Sequence, residues 1–64
     1  MNRDIFEFER QLDRLERDGK ISGSLNRELR WHQDIYDDFD IERKLRSEGN
    51  GVSYSDVRRV LDGY

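Results

Sequence analysis

Residues 31–41 read WHQDIYDDFDI and hold the only Trp and the only His of the chain. One of the three Tyr, one of the three Phe and, counting Glu42, five acidic residues lie in or beside this stretch. The apolar spacing on both sides of it is helical: steps of 4, 3, 4 and 3 residues join Leu25, Leu29, His32, Tyr36 and Phe39. We therefore predict a central helix over residues 24–48 on which the rest of the chain folds back.

The length of this helix bears on the state of association. Twenty-five helical residues span roughly 37 Å, whereas a compact monomer of this size has a diameter of roughly 28 Å. Either the helix breaks near residues 37–40, where Asp38 or Asp40 could cap a new helix, or a partner covers the overhang. We favour a continuous or kinked helix in a homodimer.

Shorter helices are predicted on both sides. Residues 2–18 carry an apolar stripe at helical spacing, formed by Ile5, Phe8, Leu12 and Leu15, with Asn2 as cap and a hydrophobic staple from Met1 to Phe6. Gly19 is predicted to end this helix in the left-handed conformation, with Ile21 turned inward and Ser22 or Ser24 capping the next helix.

After residue 48, the string Gly-Asn-Gly is a stop signal. Ser53 and Asp56 then form a capping-box pattern that predicts a helix over 54–62, with Val57, Val60 and Leu61 on its apolar face. The expected fold is all-α: a helical hairpin (2–18 and 24–48) plus a short C-terminal helix, in one domain over 1–64 and as a homodimeric bundle.

Composition excludes several classes of function. The 64 residues include no Cys, which rules out disulfides and Cys-based zinc sites, and the net charge is −3. Lys and Arg are dispersed among the acids, so nucleic-acid binding is not favoured. The chain has no apolar run long enough for a signal peptide or a membrane span. These features predict a cytoplasmic protein that does not act on membranes.

Catalysis and metal binding have little support in the sequence. Glu28 and His32 are four residues apart and could share a metal, but zinc needs three or four ligands and the chain offers no further nitrogen or sulfur ligand. A three-helix chain of this size also has little room for a pocket. We predict no enzyme activity, no cofactor and no metal site.

The central stretch is instead the predicted interface with a partner or with a second copy. Trp and Tyr concentrate at interface hot spots, and the residues assigned to the interface are Trp31, His32, Ile35, Tyr36 and Phe39. The acids Asp34, Asp37 and Asp38 fall on one face by helical spacing and are predicted to meet a basic partner. Phe8, Phe39 and Trp31 are also expected to contribute to the core.

Two functions are consistent with these features. The first is a small regulator or inhibitor that blocks a larger protein, because a short, charged, cysteine-free helical chain resembles in general style the small regulators and inhibitors made by phages and mobile elements. The alternative is a small dimeric DNA-binding transcriptional regulator that uses Arg27, Arg30, Arg58 and Arg59.

Overall fold

A computed structural model describes residues 4–62, and its helices confirm the all-α prediction. Helix α1 spans Ile5–Arg17, α2 Gly23–Trp31, α3 Asp38–Glu48 and α4 Tyr54–Asp62, and no strand occurs within these residues. The molecule measures 28 × 21 × 18 Å. It is therefore shorter in every direction than the roughly 37 Å of a straight 25-residue helix.

Helix α1 contributes several of the side chains that form the hydrophobic core. Asp4 caps it by accepting hydrogen bonds from the backbone N–H groups of residues 6 and 7. The predicted cap Asn2 and the Met1 staple lie outside the described residues. Phe8 and two leucines of the predicted stripe are fully buried, whereas Ile5 is half exposed. The buried stripe thus begins one turn later than the spacing predicted.

The first turn, residues 18–22, has the structure expected from its glycine. Gly19 has φ +79°, and its N–H donates to Glu16 O while Lys20 N–H donates to Leu15 O. This pair of bonds is the Schellman arrangement, which satisfies the last carbonyls of a helix. Ile21 turns inward, and Ser22 caps α2 by accepting from the Leu25 N–H at 3.1 Å. The predictions for this turn are confirmed.

The single helix over 24–48 is wrong, because the chain leaves helical geometry between Trp31 and Asp38. The physical reason lies in the core. In a straight helix of 3.6 residues per turn, Ile41 would point about 120° away from Leu29, and Leu45 about 160° away from Leu25. All four side chains are buried in one cluster, and the break is what allows both halves to face it.

Polar side chains form hydrogen bonds with backbone groups at the break between α2 and α3. Residues 32–37, which form this break, include neither Gly nor Pro. The His32 ring nitrogen Nδ1 lies 2.9 Å from the carbonyl oxygen of Glu28, and Gln33 Nε2 donates to the carbonyl of Arg30 at 3.1 Å. On the far side Asp37, rather than the predicted Asp38 or Asp40, caps α3 and forms a capping box with Asp40. The Glu28 carbonyl also accepts the His32 backbone N–H at 3.0 Å, so the His32 ring is a second contact there, whereas Gln33 and Asp37 supply partners for backbone groups at the two helix ends.

The connection from α3 to α4 confirms the predicted stop and capping box. Ser53 Oγ accepts from the Asp56 N–H, and Asp56 Oδ2 accepts from the Ser53 N–H, both at 3.1 Å. The N–H of Asn50 donates to the carbonyl of Lys20 at 2.7 Å. The α3–α4 connection is thus hydrogen-bonded to the first turn.

One cluster of apolar side chains joins the four helices. Its buried members are Phe8, Leu12, Leu15, Ile21, Leu25, Leu29, Ile41, Leu45, Val57, Val60 and Leu61, with Tyr36 and Val52 packed against it. Since the break folds the central segment into a compact shape, no helix overhangs the molecule. The length argument for a homodimer therefore no longer applies.

Candidate functional site

The segment of residues 31–39 exposes large apolar side chains at the turn between α2 and α3. Trp31 is 76% exposed, Ile35 74% and Phe39 68%. The prediction that Trp31 and Phe39 contribute to the core is wrong. Trp31 lies about 160° from Leu29 around α2, and Phe39 lies about 160° from Ile41 around α3. Because Leu29 and Ile41 face the core, Trp31 and Phe39 point into solvent.

The other two predicted interface residues face the protein. His32 and Tyr36 are half-buried, and their rings stack with centroids 5.4 Å apart. Tyr36 also packs against the core. The five predicted interface residues therefore divide into three exposed side chains and two that support the turn from within.

The acids of the segment are exposed but do not share a helical face. Asp34 lies in the turn, Asp37 is the cap of α3 and Asp38 is its first residue. The prediction of one helical face is wrong because the helix on which it was based is interrupted. Asp37 has a structural task as well, since its side chain accepts from the Asp40 N–H at 2.8 Å.

Charge is unevenly distributed along the chain. Of its fifteen acids, five lie in residues 31–42, which contain no Lys or Arg, while the other ten share the rest of the chain with all twelve Lys and Arg. Exposed apolar side chains and negative charge thus coincide in one short region. Such a combination is suited to a partner surface that is both apolar and basic.

Glu28 anchors the turn from α2. Its Oε2 accepts the Tyr36 hydroxyl at 2.8 Å and lies 2.9 Å from Lys44 Nζ. Lys44 also bonds Glu48 at 3.2 Å and lies 5.8 Å from the centroid of the Tyr36 ring. One carboxylate therefore connects α2, the turn and α3.

The electrostatics of this anchor follow from its contacts. The Lys44 ammonium, with the Tyr36 hydroxyl, holds the pKa of the Glu28 carboxyl below its usual value. Glu28, followed by Glu48, raises the pKa of Lys44, and the hydrogen bond to Glu28 raises the pKa of Tyr36. The groups stay ionised as a carboxylate and an ammonium around neutral pH, which keeps the turn fixed.

The anchoring roles of Lys44 and Glu28 were not predicted from the sequence. Tyr36 is eight residues and Lys44 sixteen residues beyond Glu28, and neither separation is a neighbouring position on one helix. Only the break brings them together. The spacing Asp37-x-x-Asp40, which matches a capping box, was the one local signal of where the chain bends.

Phe39 shows how the segment interacts with a cation. The guanidinium carbon of Arg43 lies 5.9 Å from the centroid of the Phe39 ring. The same guanidinium, through Nη2, lies 3.4 Å from Asp40 Oδ1. The aromatic ring and the adjacent carboxylate therefore receive one arginine together.

Two of the four arginines considered for DNA binding are engaged within the chain. Arg30 forms an ion pair with Asp13 and donates from Nε to Asn26 at 3.1 Å. Arg58 forms an ion pair with Asp62 at 2.5 Å. Contacts of this kind compete with phosphate for the guanidinium.

Exposed apolar side chains also occur elsewhere. Phe6 is 85% exposed, Ile5 54% and Tyr54 61%. They differ from the 31–39 segment in their surroundings, because Arg and Lys accompany acids in the stretches that contain them. They provide natural controls for the role of the central segment.

Among residues 4–62, no group of three or more His, Cys, Asp or Glu side chains is arranged to hold a metal ion. None of the helices in this part of the chain is both long and apolar enough to cross a bilayer.

The chain matches no protein-family model, and no curated protein or solved structure shows significant similarity to it.

Proposed function

We propose that this chain is a small protein-binding regulator or inhibitor that uses the 31–39 segment to cover part of a larger protein. The observation that carries the proposal is the exposure of Trp31, Ile35 and Phe39 within nine residues. Among residues 4–62, eleven apolar side chains are buried in the core, yet the single Trp of the chain remains outside it. Large exposed apolar groups cost solubility and are typical of interaction sites.

The contacts that hold the 31–39 segment in place support the same proposal. The Glu28–Tyr36–Lys44 contacts and the capping box at Asp37 hold the segment at both ends. A binding segment that is already ordered loses less conformational entropy when a partner arrives. The exposed side chains are thus displayed on a fixed turn.

The negative charge of the 31–39 segment favours a different protein, rather than a second copy of this chain, as its binding partner. In a two-fold dimer the same patch meets itself, so the acids of one copy, among them Asp34 and Asp38, would lie near the acids of the other copy. Like charges at an interface are unfavourable, whereas a basic partner would be attracted. The homodimer stays a prediction, and this segment is not where we place it.

We also infer that α1 and α2 form a helical hairpin, which is shorter than the predicted hairpin of helices 2–18 and 24–48 because α2 ends at Trp31. Support comes from the buried amide of Asn26, whose Nδ2 donates to Asp13 Oδ1 at 2.9 Å and to Glu16 Oε1 at 2.7 Å. Farther along α2, Arg30 pairs again with Asp13. The later residue of α2 thus contacts the earlier part of α1, as expected for helices running in opposite directions.

Quantitative capture of proteins from the native host lysate tests the proposed function. The test variant replaces Trp31, Ile35 and Phe39 together by Ala. The matched control replaces Ile5, Phe6 and Tyr54 by Ala, which removes a similar set of exposed apolar groups elsewhere. Far-UV circular dichroism establishes that both variants keep their helices.

We expect wild type and the control variant to retain a specific partner that the test variant loses. A partner retained equally by all three proteins would place the interface outside the 31–39 segment and contradict the proposal. Asp37 is avoided in this design because it caps α3.

The DNA-binding alternative has weaker support, since Arg30 and Arg58 are paired within the chain. It makes a distinct prediction: binding to random duplex DNA that weakens steeply with salt. A salt-dependent mobility shift at micromolar protein, unaffected by the Trp31, Ile35 and Phe39 substitutions, would favour it over the protein-binding function.

A further inference from the structure

We infer that the 31–39 segment recognises arginine side chains of its partner in preference to lysine, each guanidinium stacking on an aromatic ring while pairing with a neighbouring carboxylate. This inference rests on the proposed function and specifies the chemistry of the partner. The occupant is a protein segment that carries Arg together with apolar residues.

The chain itself provides the example of this contact. Phe39 and Asp40 together receive the guanidinium of Arg43, at 5.9 Å from the ring centroid and 3.4 Å from the carboxylate oxygen. Both ring and guanidinium remain more than half exposed, at 68% for Phe39 and 64% for the Arg43 side chain. A ring that already accommodates one arginine at the surface is chemically suited to a second one from outside.

Trp31 and Asp34 provide a second aromatic ring and a second carboxylate, three residues apart in sequence, in the opposite half of the segment. Trp is the aromatic residue best suited to cation–π contact, and Trp31 is 76% exposed. The nearest cation in sequence, Arg30, is already bonded to Asp13 and Asn26. Because residues 31–42 contain no Lys or Arg, we assign the guanidinium for this half to the partner.

Guanidinium geometry explains the preference. Arginine is planar, is weakly hydrated and can stack on a ring while its N–H groups point to a carboxylate, whereas the compact lysine ammonium remains strongly hydrated. Exposed cation–π contacts are modest in size and correspond to roughly a two- to fivefold change in affinity for each contact.

The first arm of the test compares two synthetic peptides of equal length and charge, with the same apolar residues, in which every cation is Arg or every cation is Lys. Binding to the full chain is measured by anisotropy of a dye attached to the peptide, at low and at physiological ionic strength. We expect the Arg peptide to bind about three- to tenfold more tightly than the Lys peptide. Trp31→Ala is expected to remove most of that difference.

The second arm uses Arg43 as an internal competitor. Arg43→Gln leaves Phe39 and Asp40 open to a partner's guanidinium, so it should tighten binding of the Arg peptide. Arg46→Gln is the matched control, because it removes one positive charge from the same helix and from another ion pair, that with Glu42. We expect Arg43→Gln to tighten binding about two- to fivefold beyond the change caused by Arg46→Gln.

Each outcome bears on the inference. Equal affinities for the two peptides, both lost in Trp31→Ala, would overturn the arginine preference but leave the binding segment intact. Equal effects of Arg43→Gln and Arg46→Gln would show that only net charge matters, which also overturns it. If neither peptide binds while the lysate partner is still captured, the inference fails alone; if that partner is absent too, the proposed function fails with it.

Discussion

The two turns on either side of α2 each contain an isoleucine, which is buried in the first turn and exposed in the second. The first turn, residues 18–22, buries Ile21 to 6% exposure, whereas the second turn, residues 32–37, leaves Ile35 74% exposed. The first is joined to distant parts of the chain by the Asn50–Lys20 backbone bond and the Lys20–Asp56 ion pair. The second is held mainly by the helices that flank it.

The difference indicates that the first turn contributes to stability and that the second turn is suited to recognition. The first turn contributes to stability through Lys20, which pairs with the buried Asp56. The Asp56 carboxylate accepts hydrogen bonds from Lys20 Nζ at 2.8 Å and from Arg14 Nη2 at 3.3 Å. The exposed apolar residues at and beside the second turn, Trp31, Ile35 and Phe39, add little to the core. Changes in the first turn should therefore destabilise the protein, and changes of these three exposed side chains should mainly alter what it binds.

The largest expected effect comes from the two isoleucines. Ile21→Ala removes a buried side chain and should lower the free energy of unfolding by about 3 kcal/mol. Ile35→Ala should change it by less than about 0.5 kcal/mol, because the side chain is already in water. Urea unfolding followed by circular dichroism measures both.

Equal losses for the two variants would contradict the difference between the turns, since they would mean that Ile35 packs against something in the free protein. A loss confined to Ile21→Ala is the expected result.

The next effect concerns the glycines of the α3–α4 connection. A Cβ at Gly49 would overlap the carbonyl oxygen of Leu45 and lie 2.5 Å from Val52 Cγ2 and 3.1 Å from the carbonyl oxygen of Lys20. Gly49→Ala should therefore destabilise by about 2–3 kcal/mol through overpacking, chiefly against the Leu45 carbonyl and Val52.

Gly51→Ala is the control for this substitution. Gly51 has φ +75° but open space around its Cα, so only backbone strain of about 1 kcal/mol is expected. The midpoints of thermal unfolding should rank wild type above Gly51→Ala, and Gly51→Ala above Gly49→Ala. A reversed order would show that close packing against Leu45 and Val52 is not what requires a glycine at position 49.

The third prediction concerns the buried carboxylate of Asp56, which should make stability depend on pH by about 2 kcal/mol. Burial by itself would raise the pKa of Asp56, but the bonds from Lys20 and Ser53 outweigh it and lower the pKa to about 2. Because the folded-state value lies below the ordinary value of 3.8, Asp56 stabilises the protein above about pH 4. This contribution is lost as the pH falls towards 2.

Asp56→Asn should lower stability at pH 7 and flatten its decline between pH 4 and 2. A residual slope is expected, because the pKa of Asp13 is also lowered, chiefly by its hydrogen bond from Asn26. The control is Asp40→Asn, at the same position of the capping box of α3 but more exposed. An unchanged acid profile in Asp56→Asn would contradict the assignment.

Local signals predicted most of the helix boundaries. Gly19, Ser22 and the Ser53–Asp56 box act within a few residues, so their effects can be read directly from the sequence. The break at 32–37 had one such signal, the Asp37-x-x-Asp40 spacing, but this spacing alone did not decide between a break and a continuous helix. The break depends on how Ile41 and Leu45 reach a core built largely by α1 and α4, which is a tertiary requirement.

The candidate site was predicted in its residues but not in its geometry. Rare residues concentrated in one stretch pointed to Trp31, Ile35 and Phe39, yet helical spacing placed Phe39 and Trp31 in the core. The anchoring role of Lys44 was missed because it depends on the break. Sequence pattern thus located the segment, and only the fold could tell which side chains face water.

The position of the single Trp has a spectroscopic consequence. Trp31 is 76% exposed in the folded protein, so its fluorescence should change little on unfolding, and it is a poor probe of stability here. The same indole lies where we place the partner, and burial there would shift its emission to the blue. The protein would then carry its own optical reporter of occupancy, and a titration with unlabelled partner could be followed without any added dye.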